Sequence, residues 1–166
     1  LADFTVMTEQ ASIFTAGPPL VKASLGEDIT KEELGGPGIA LHSGVVQNLA
    51  SNDESALEQI RIWLSYLPSS AWQRPTRLTD AEGERKVNEL LNIIPENPRQ
   101  AYDMYDVINA VADSGSVFTI QPMFGESLIT CFARLSGRPV AIVANQPHHM
   151  AGSITVEAAD KATQFI

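Results

Sequence analysis

Apolar and polar positions along this chain mark short strands and amphipathic helices in turn. Phe4 to Met7 and Ser12 to Phe14 read as strand-like runs. Gly17-Pro18-Pro19 opens a helix over residues 18–25 and Gly26 closes it, because proline suits a first turn and glycine suits the stop. Thr30-Lys31-Glu32-Glu33 has the form of a capping box, with Ile29 and Leu34 placed as a hydrophobic staple and Gly35-Gly36 as the end. A second box, Ser51 to Glu54, precedes Leu57, Ile60, Leu64 and Leu67 at helical spacing, so an amphipathic helix is expected up to Pro68.

The pattern then dissolves. Residues 68–77 are rich in Pro, Ser, Gln and Arg, Gly83 to Ile94 looks helical, and Pro95-Glu96-Asn97-Pro98-Arg99 is again polar. Residues 68–100 are therefore read as a crossing between domains. Beyond it, Asp103 caps a helix with the apolar face Met104, Val107, Ile108 and Val111, ending at Asp113-Ser114-Gly115. Strands over 128–135 and 138–144 flank a Ser136-Gly137 turn, and the unbroken apolar run Val140 to Ala144 suits a strand covered on both faces. Asn145-Gln146-Pro147 stops that strand abruptly. Thr155 caps a last helix, with Glu157 and Lys161 spaced for a surface ion pair. Mixed helices and strands without repeats give the class α/β.

Composition narrows the function classes. Twenty acidic against eleven basic residues leave a net charge of −9 with no basic cluster, so neither nucleic acid nor an anionic membrane is an expected partner. The 166 residues are 44% hydrophobic, enough for one sizeable core or parts of two, and no apolar run reaches the length of a membrane helix. Cys131 is the only cysteine, which excludes an internal disulfide and a thiolate zinc site, and points to a reducing interior. A cytoplasmic protein is expected, or one of the mitochondrial matrix in a eukaryote. The chain starts at Leu1 within a strand-like stretch and has no export signal, as in a processed chain or a piece of a longer one.

A series of short segments carries a family resemblance. They are Ser12-Ile13-Phe14-Thr15-Ala16-Gly17-Pro18, Gly26-Glu27-Asp28-Ile29-Thr30, Glu33-Leu34-Gly35-Gly36, Ser43-Gly44-Val45 and Ser65-Tyr66-Leu67-Pro68. In the same order follow Tyr102-Asp103-Met104, Phe132-Ala133-Arg134-Leu135, Gly137-Arg138-Pro139-Val140, Val143-Ala144-Asn145-Gln146-Pro147 and Lys161-Ala162 with Phe165-Ile166. Together they resemble the carboxyltransferase (beta) subunit of biotin-dependent acyl-CoA carboxylases, in its middle portion. Ala141, Thr119 and Cys131 depart from that family's usual residues, and Gly17-Pro18-Pro19 is similar to the methylcrotonoyl-type members.

The resemblance implies a crotonase-like (ClpP/crotonase) fold in parts of two domains. Residues 1–67 would end the first domain, 68–100 would cross over, and 101–166 would begin the second. It implies transfer of a carboxyl group from carboxybiotin to the α-carbon of an acyl-CoA. A biotin-dependent decarboxylase or transcarboxylase of the same fold is the related alternative, and a non-catalytic acyl-CoA-binding or assembly module is the third. The glycine motifs that stabilise the enolate and hold biotin would lie before residue 1 and after residue 166, so no catalytic residue is assigned here and this stretch alone is not expected to be active.

Neither an ATP-binding glycine loop nor a biotin-carrying lysine motif is present, so a biotin carboxylase and a biotin carrier subunit are implied as partners, in a homo-oligomer. Substrate-binding candidates are Gly35, Gly36, Ser43, Gly44, Arg134, Asn145 and Gln146. Gly35-Gly36 would admit close backbone approach to a ligand, or simply stop a helix, and the Ser43-Gly44 turn reads the same two ways. Asn145 and Gln146 would orient a polar ligand through their amides, or satisfy backbone at a strand end. For Arg134 the resemblance suggests a carboxylate or phosphate contact, with a structural ion pair as the alternative. His148-His149 lacks a third metal ligand nearby, and no metal is expected. His42 reads as a polar loop residue, Cys131 as a small buried hydrophobe, and Asp103 and Asp106 as first-turn carboxylates without acid/base roles.

Overall fold

The computed structural model describes residues 2–79, 88, 90–97 and 99–166. The chain divides into two compact units, Leu1–Ile60 and Arg61–Ile166, with the division inside one helix.

In the first unit, β1 (Val6–Thr8) pairs in parallel with β2 (Asn48–Ala50), Met7 opposite Leu49. Between them lie α1 (Pro18–Leu25), α2 (Lys31–Gly35) and α3 (Pro37–Ala40). Local chemistry fixes these boundaries. Gly26 stops α1 in a left-handed conformation (φ 76°), and its N–H reaches the Lys22 carbonyl. Thr30 and Glu33 form both bonds of the capping box on α2. Pro37 opens α3, which the sequence pattern did not announce. The expected strand at Ser12 to Phe14 is absent; the Ile13 N–H instead donates a single bond to the Gly35 carbonyl at 2.8 Å. Among the described residues, Met7, Ala40, Leu41, Val46 and Ala50 are the buried hydrophobic side chains of this unit.

Helix α4 (Asp53–Ser65) starts one residue later than the Ser51 cap would set it. Asn52 is the effective cap, its Oδ1 accepting the Ser55 N–H at 2.8 Å, and either residue type is able to do this. The helix also stops before Leu67. Its expected apolar face is not a core: Leu57 and Leu64 are each 53% exposed, and no residue of α4 is buried. Helical spacing defines a face and leaves its cover unspecified.

The second unit is layered. β3 (Phe118–Ile120), β4 (Leu128–Leu135) and β5 (Arg138–Asn145) form an antiparallel sheet in that order. The β4–β5 hairpin turns on Ser136 (φ 49°) and Gly137 (φ 77°), the two successive positive φ angles a tight hairpin needs. The Asp113 carboxylate secures the turn by accepting the Ser136 and Gly137 N–H groups at 2.8 and 2.6 Å. α6 (Met104–Val111), capped by Asp103 as expected, packs Ile108 on Ile129 and Cys131. Cys131 is fully buried and burial pushes its thiol up to about 11, consistent with the small-hydrophobe reading.

Side chains alternate along β4, so Phe132 points to the other face. There its ring stacks on Tyr66 at 5.6 Å and meets Phe165 of α7 (Val156–Phe165) at 5.2 Å. β5 departs from expectation. Among the described residues it pairs with β4 alone, and Ala141 and Val143 are exposed, so the described residues cover the apolar run Val140 to Ala144 on one face. Lys161 departs too: it turns inward, away from a surface pair with Glu157, and donates to the Leu128 carbonyl at 2.7 Å. Of the helix read over Gly83 to Ile94, α5 (Leu90–Ile93) is seen, and 83–87 and 89 lie outside the described residues.

Candidate functional site

The end of β5 is a densely hydrogen-bonded polar segment of the second unit. The Gln146 N–H continues the ladder to the Ser127 carbonyl at 2.8 Å, after which Pro147 has no N–H to offer. The Gln146 side chain is 4% exposed and spans to the start of α6: Nε2 donates to Asp103 Oδ1 at 2.7 Å, and Oε1 accepts the Met104 N–H at 3.2 Å. Asn145 Nδ2 donates to the Gly152 carbonyl across the loop. Met150, Ala151 and Gly152 all have left-handed backbone, φ 50°, 53° and 71°, which is costly for the first two. From the same loop, His149 Nδ1 lies 3.2 Å from Glu126 Oε2.

Asp103 gathers several of these bonds. Partial burial opposes its charge, but the Gln146 amide, the Tyr105 N–H and the nearby His148 and His149 outweigh this and hold its carboxyl below the ordinary range. A depressed carboxylate stabilises the fold above its unfolded pKa, and that contribution disappears as pH falls through the folded value. Replacing Asp103 with alanine is expected to cost about 1 kcal/mol near neutral pH, a figure discounted for partial exposure. Urea titrations at descending pH should show the gap from the wild type closing below about pH 4.

Arg134 lies elsewhere. It pairs with Pro139 while Leu128 pairs with Asn145, so about 20 Å of strand separates Arg134 from the polar loop. It is also buried, and among the described residues no carboxylate pairs with it. Nη2 donates to the Ser65 carbonyl at 2.7 Å, Nη1 makes 3.4 Å contacts with the Thr76 and Gly137 carbonyls, and the guanidinium lies 4.8 Å over the Tyr66 ring. Among the described residues its partners are backbone carbonyls and the Tyr66 ring.

The remaining candidates belong to the first unit. A Cβ on Gly35 would meet the Ile13 carbonyl oxygen at 2.0 Å, so the close approach it permits is to the chain's own backbone. Gly36 ends α2 and begins α3, its N–H donating to the Glu32 carbonyl. Ser43 Oγ bonds the Ala40 carbonyl at 3.3 Å, and Gly44 takes φ 75°. His42 Nδ1 lies 3.0 Å from the Gly38 carbonyl, one turn back.

Sequence reasoning missed Asp113, Lys161 and the Gln146 to Asp103 bond. Lys161 was findable, since Ala158, Lys161 and Phe165 share one stripe of α7. Among the described residues, no group of three or more His, Cys, Asp or Glu is placed to hold a metal ion, and no helix is long and apolar enough to cross a membrane.

The architecture is that of the crotonase-like carboxyltransferases. Transcarboxylase 12S, solved as a hexamer with hydrolysed methylmalonyl-coenzyme A bound, superposes on 98% of this chain and 32% of its own with a TM-score of 0.93 and 36% identity. The chain belongs to the carboxyl transferase domain family, whose model matches residues 1–166. The carboxyltransferase subunit of propionyl-CoA carboxylase from Haloferax mediterranei is 41% identical over all of this chain and 33% of its own length. Methylmalonyl-CoA decarboxylase subunit alpha of Veillonella parvula is 39% identical with the same coverage. The chain thus spans about a third of the length of these relatives.

Proposed function

We propose that this chain is part of a subunit that moves a carboxyl group from carboxybiotin to the α-carbon of an acyl-CoA. What carries the reading is the match of residues 1–166, end to end, to the carboxyl transferase domain at 41% identity to a propionyl-CoA carboxylase subunit. Residues 1–67 are assigned to the first crotonase-like domain, 68–100 to the crossing and 101–166 to the second domain, on the resemblance.

The chemistry requires N–H donors aimed at an enolate oxygen and at the biotin ureido oxygen. One N–H of each side-chain amide is engaged, that of Asn145 with the Gly152 carbonyl and that of Gln146 with the Asp103 carboxylate. No step is assigned to them. Their part is to fix the loop that ends β5. Biotin arrives on a carrier protein charged by a biotin carboxylase, and the subunit works as a homo-oligomer in the cytoplasm or, in a eukaryote, the mitochondrial matrix. The human relative, 38% identical, is a mitochondrial propionyl-CoA carboxylase beta chain.

Decarboxylation is the second reading, favoured by the 39% identity to the Veillonella parvula decarboxylase subunit. To separate the two, the full subunit is supplied with its biotin partners and a series of acyl-CoA thioesters. ATP-dependent fixation of labelled bicarbonate supports the carboxylase; label loss from a carboxylated thioester without fixation supports the decarboxylase. Neither activity with any thioester refutes both.

A further inference from the structure

Lys161 is a buried cation for which neither the fold nor the proposed chemistry has yet found a use. It is 1% exposed, on the face of α7 that packs against β4, and its Nζ donates to the Leu128 carbonyl at 2.7 Å. Leu128 opens β4 and lies opposite Asn145, the first rung of the β4–β5 ladder. One residue earlier, the Ser127 carbonyl accepts the Gln146 N–H. Two consecutive carbonyls at the head of β4 therefore hold α7 on one side and the Gln146 backbone on the other. The backbone there has little slack. Gly125, just before, has φ 52°, and a Cβ on it would lie 2.8 Å from the Glu157 carbonyl and 2.9 Å from Ala158.

We propose that Lys161 is a positioning residue: its ammonium fixes the head of β4 and thereby the placement of Asn145, Gln146 and the loop that follows. The proposal rests on the carboxyltransferase reading only for the consequence to turnover; the placement itself stands apart from it.

A purely stabilising role accounts poorly for an ammonium here. An apolar side chain of the same length would fill the space without the cost of burying charge. That cost is visible in the lysine's acidity: burial pulls it down to about 8 from an ordinary 10.5, against a smaller opposing pull from Glu126. The sign follows. Between about 8 and 10.5 the folded chain binds fewer protons than the unfolded one, so this group penalises folding below about 8 and the penalty is relieved as pH rises.

The charged and titratable surroundings are few. Glu126, in the turn before β4, also holds His149. Cys131, an odd-numbered residue of β4 like Ile129, faces α6. Arg134 is committed to Ser65 at the far end of the strand, and Glu157 and Asp160 belong to α7 itself. Above its pKa the amine remains a donor to the Leu128 carbonyl and no longer carries the cost of a buried charge.

The test uses the full subunit, wild type and Lys161→Met, followed by amide hydrogen exchange and by carboxyl-transfer kinetics. In the variant, the Gln146 amide should exchange about tenfold faster while Ile129 and Cys131 keep their protection. The kcat should fall about tenfold with KM for the acyl-CoA changed less than about twofold. In the wild type, Gln146 exchange, corrected for its intrinsic pH dependence, should fall as pH rises above about 8 and the burial penalty on the ammonium is relieved, with no such limb in the variant. Equal Gln146 protection in the two proteins, or a wild type without that limb, overturns the proposal. If Lys161→Met does not fold, the wild-type pH series decides alone. A wild type that transfers no carboxyl group refutes the proposed function, while the exchange data still decide the placement.

Discussion

Gly35→Ala is expected to destabilise the subunit by about 3 kcal/mol or more, which places it among the severe single substitutions. The added Cβ would sit 2.0 Å from the Ile13 carbonyl oxygen and 2.9 Å from its carbon, both backbone atoms that cannot swing aside. Relief requires α2 to move away from the Ile13 segment, and that movement breaks the 2.8 Å bond from the Ile13 N–H to the Gly35 carbonyl. Phe14 Cδ1, 3.3 Å from the same point, leaves little room to slide. Urea denaturation measures the loss. Gly38→Ala is the control, because a Cβ there meets nothing within 4 Å and α3 gains a better helix former; it should be neutral or stabilising by about 0.5 kcal/mol. Equal effects at the two glycines would contradict the packing described for Gly35.

Arg134→Met should cost about 3 kcal/mol, and Arg134→Lys should recover less than half of it. Arg134 is 6% exposed, and its guanidinium serves three backbone carbonyls, those of Ser65, Thr76 and Gly137, besides the Tyr66 ring. A methionine restores volume and leaves the Ser65 carbonyl without its 2.7 Å donor. A lysine carries the charge on one nitrogen, which cannot reach in several directions as a planar fork does. A second readout is specific to the contact. Burial pushes the Tyr66 phenol up, and the Arg134 charge pulls it partly back. Removing that charge should move Tyr66 ionisation to still higher pH in an ultraviolet titration, whereas a substitution that only loosened packing would bring it down toward the ordinary value.

What could be read from the sequence is what neighbouring residues decide. Thr30 with Glu33, Asp103 and Thr155 each cap the helix they precede, and Ser136-Gly137 makes the expected turn. These devices work within about four residues and leave a mark in the local pattern. What covers a face is set by distant chain, and there the pattern misled. Leu57 and Leu64 form a helical stripe without a core, and Val143 belongs to an apolar strand with an open face. Lys161 was assigned to a surface pair because the spacing to Glu157 allows it, but Leu128, 33 residues away, supplies the partner that turns it inward.

The candidate site divides the same way. The polar segment Asn145-Gln146-Pro147 was evident at the end of a strand. Its use was not, because the Gln146 amide is spent on Asp103, 43 residues earlier, and on the Met104 N–H. Gly35 was legible as a place of close approach, and only the fold shows Ile13 to be what approaches. Arg134 was legible as a mid-strand charge that must be paired or reach solvent. Carboxylates were the obvious partners to expect, whereas the hairpin and the residues after α4 offer carbonyls.

The central claim is that these residues belong to a subunit that passes a carboxyl group between biotin and an acyl-CoA. The most direct measurement mixes the full subunit with free biotin and an acyl-CoA labelled in its carboxyl group, with no ATP and no biotin carboxylase present. Label appearing on biotin, abolished by avidin, is the predicted result, and Lys161→Met should slow it about tenfold. A folded, oligomeric subunit that binds the thioester and leaves all of the label on it would contradict the account.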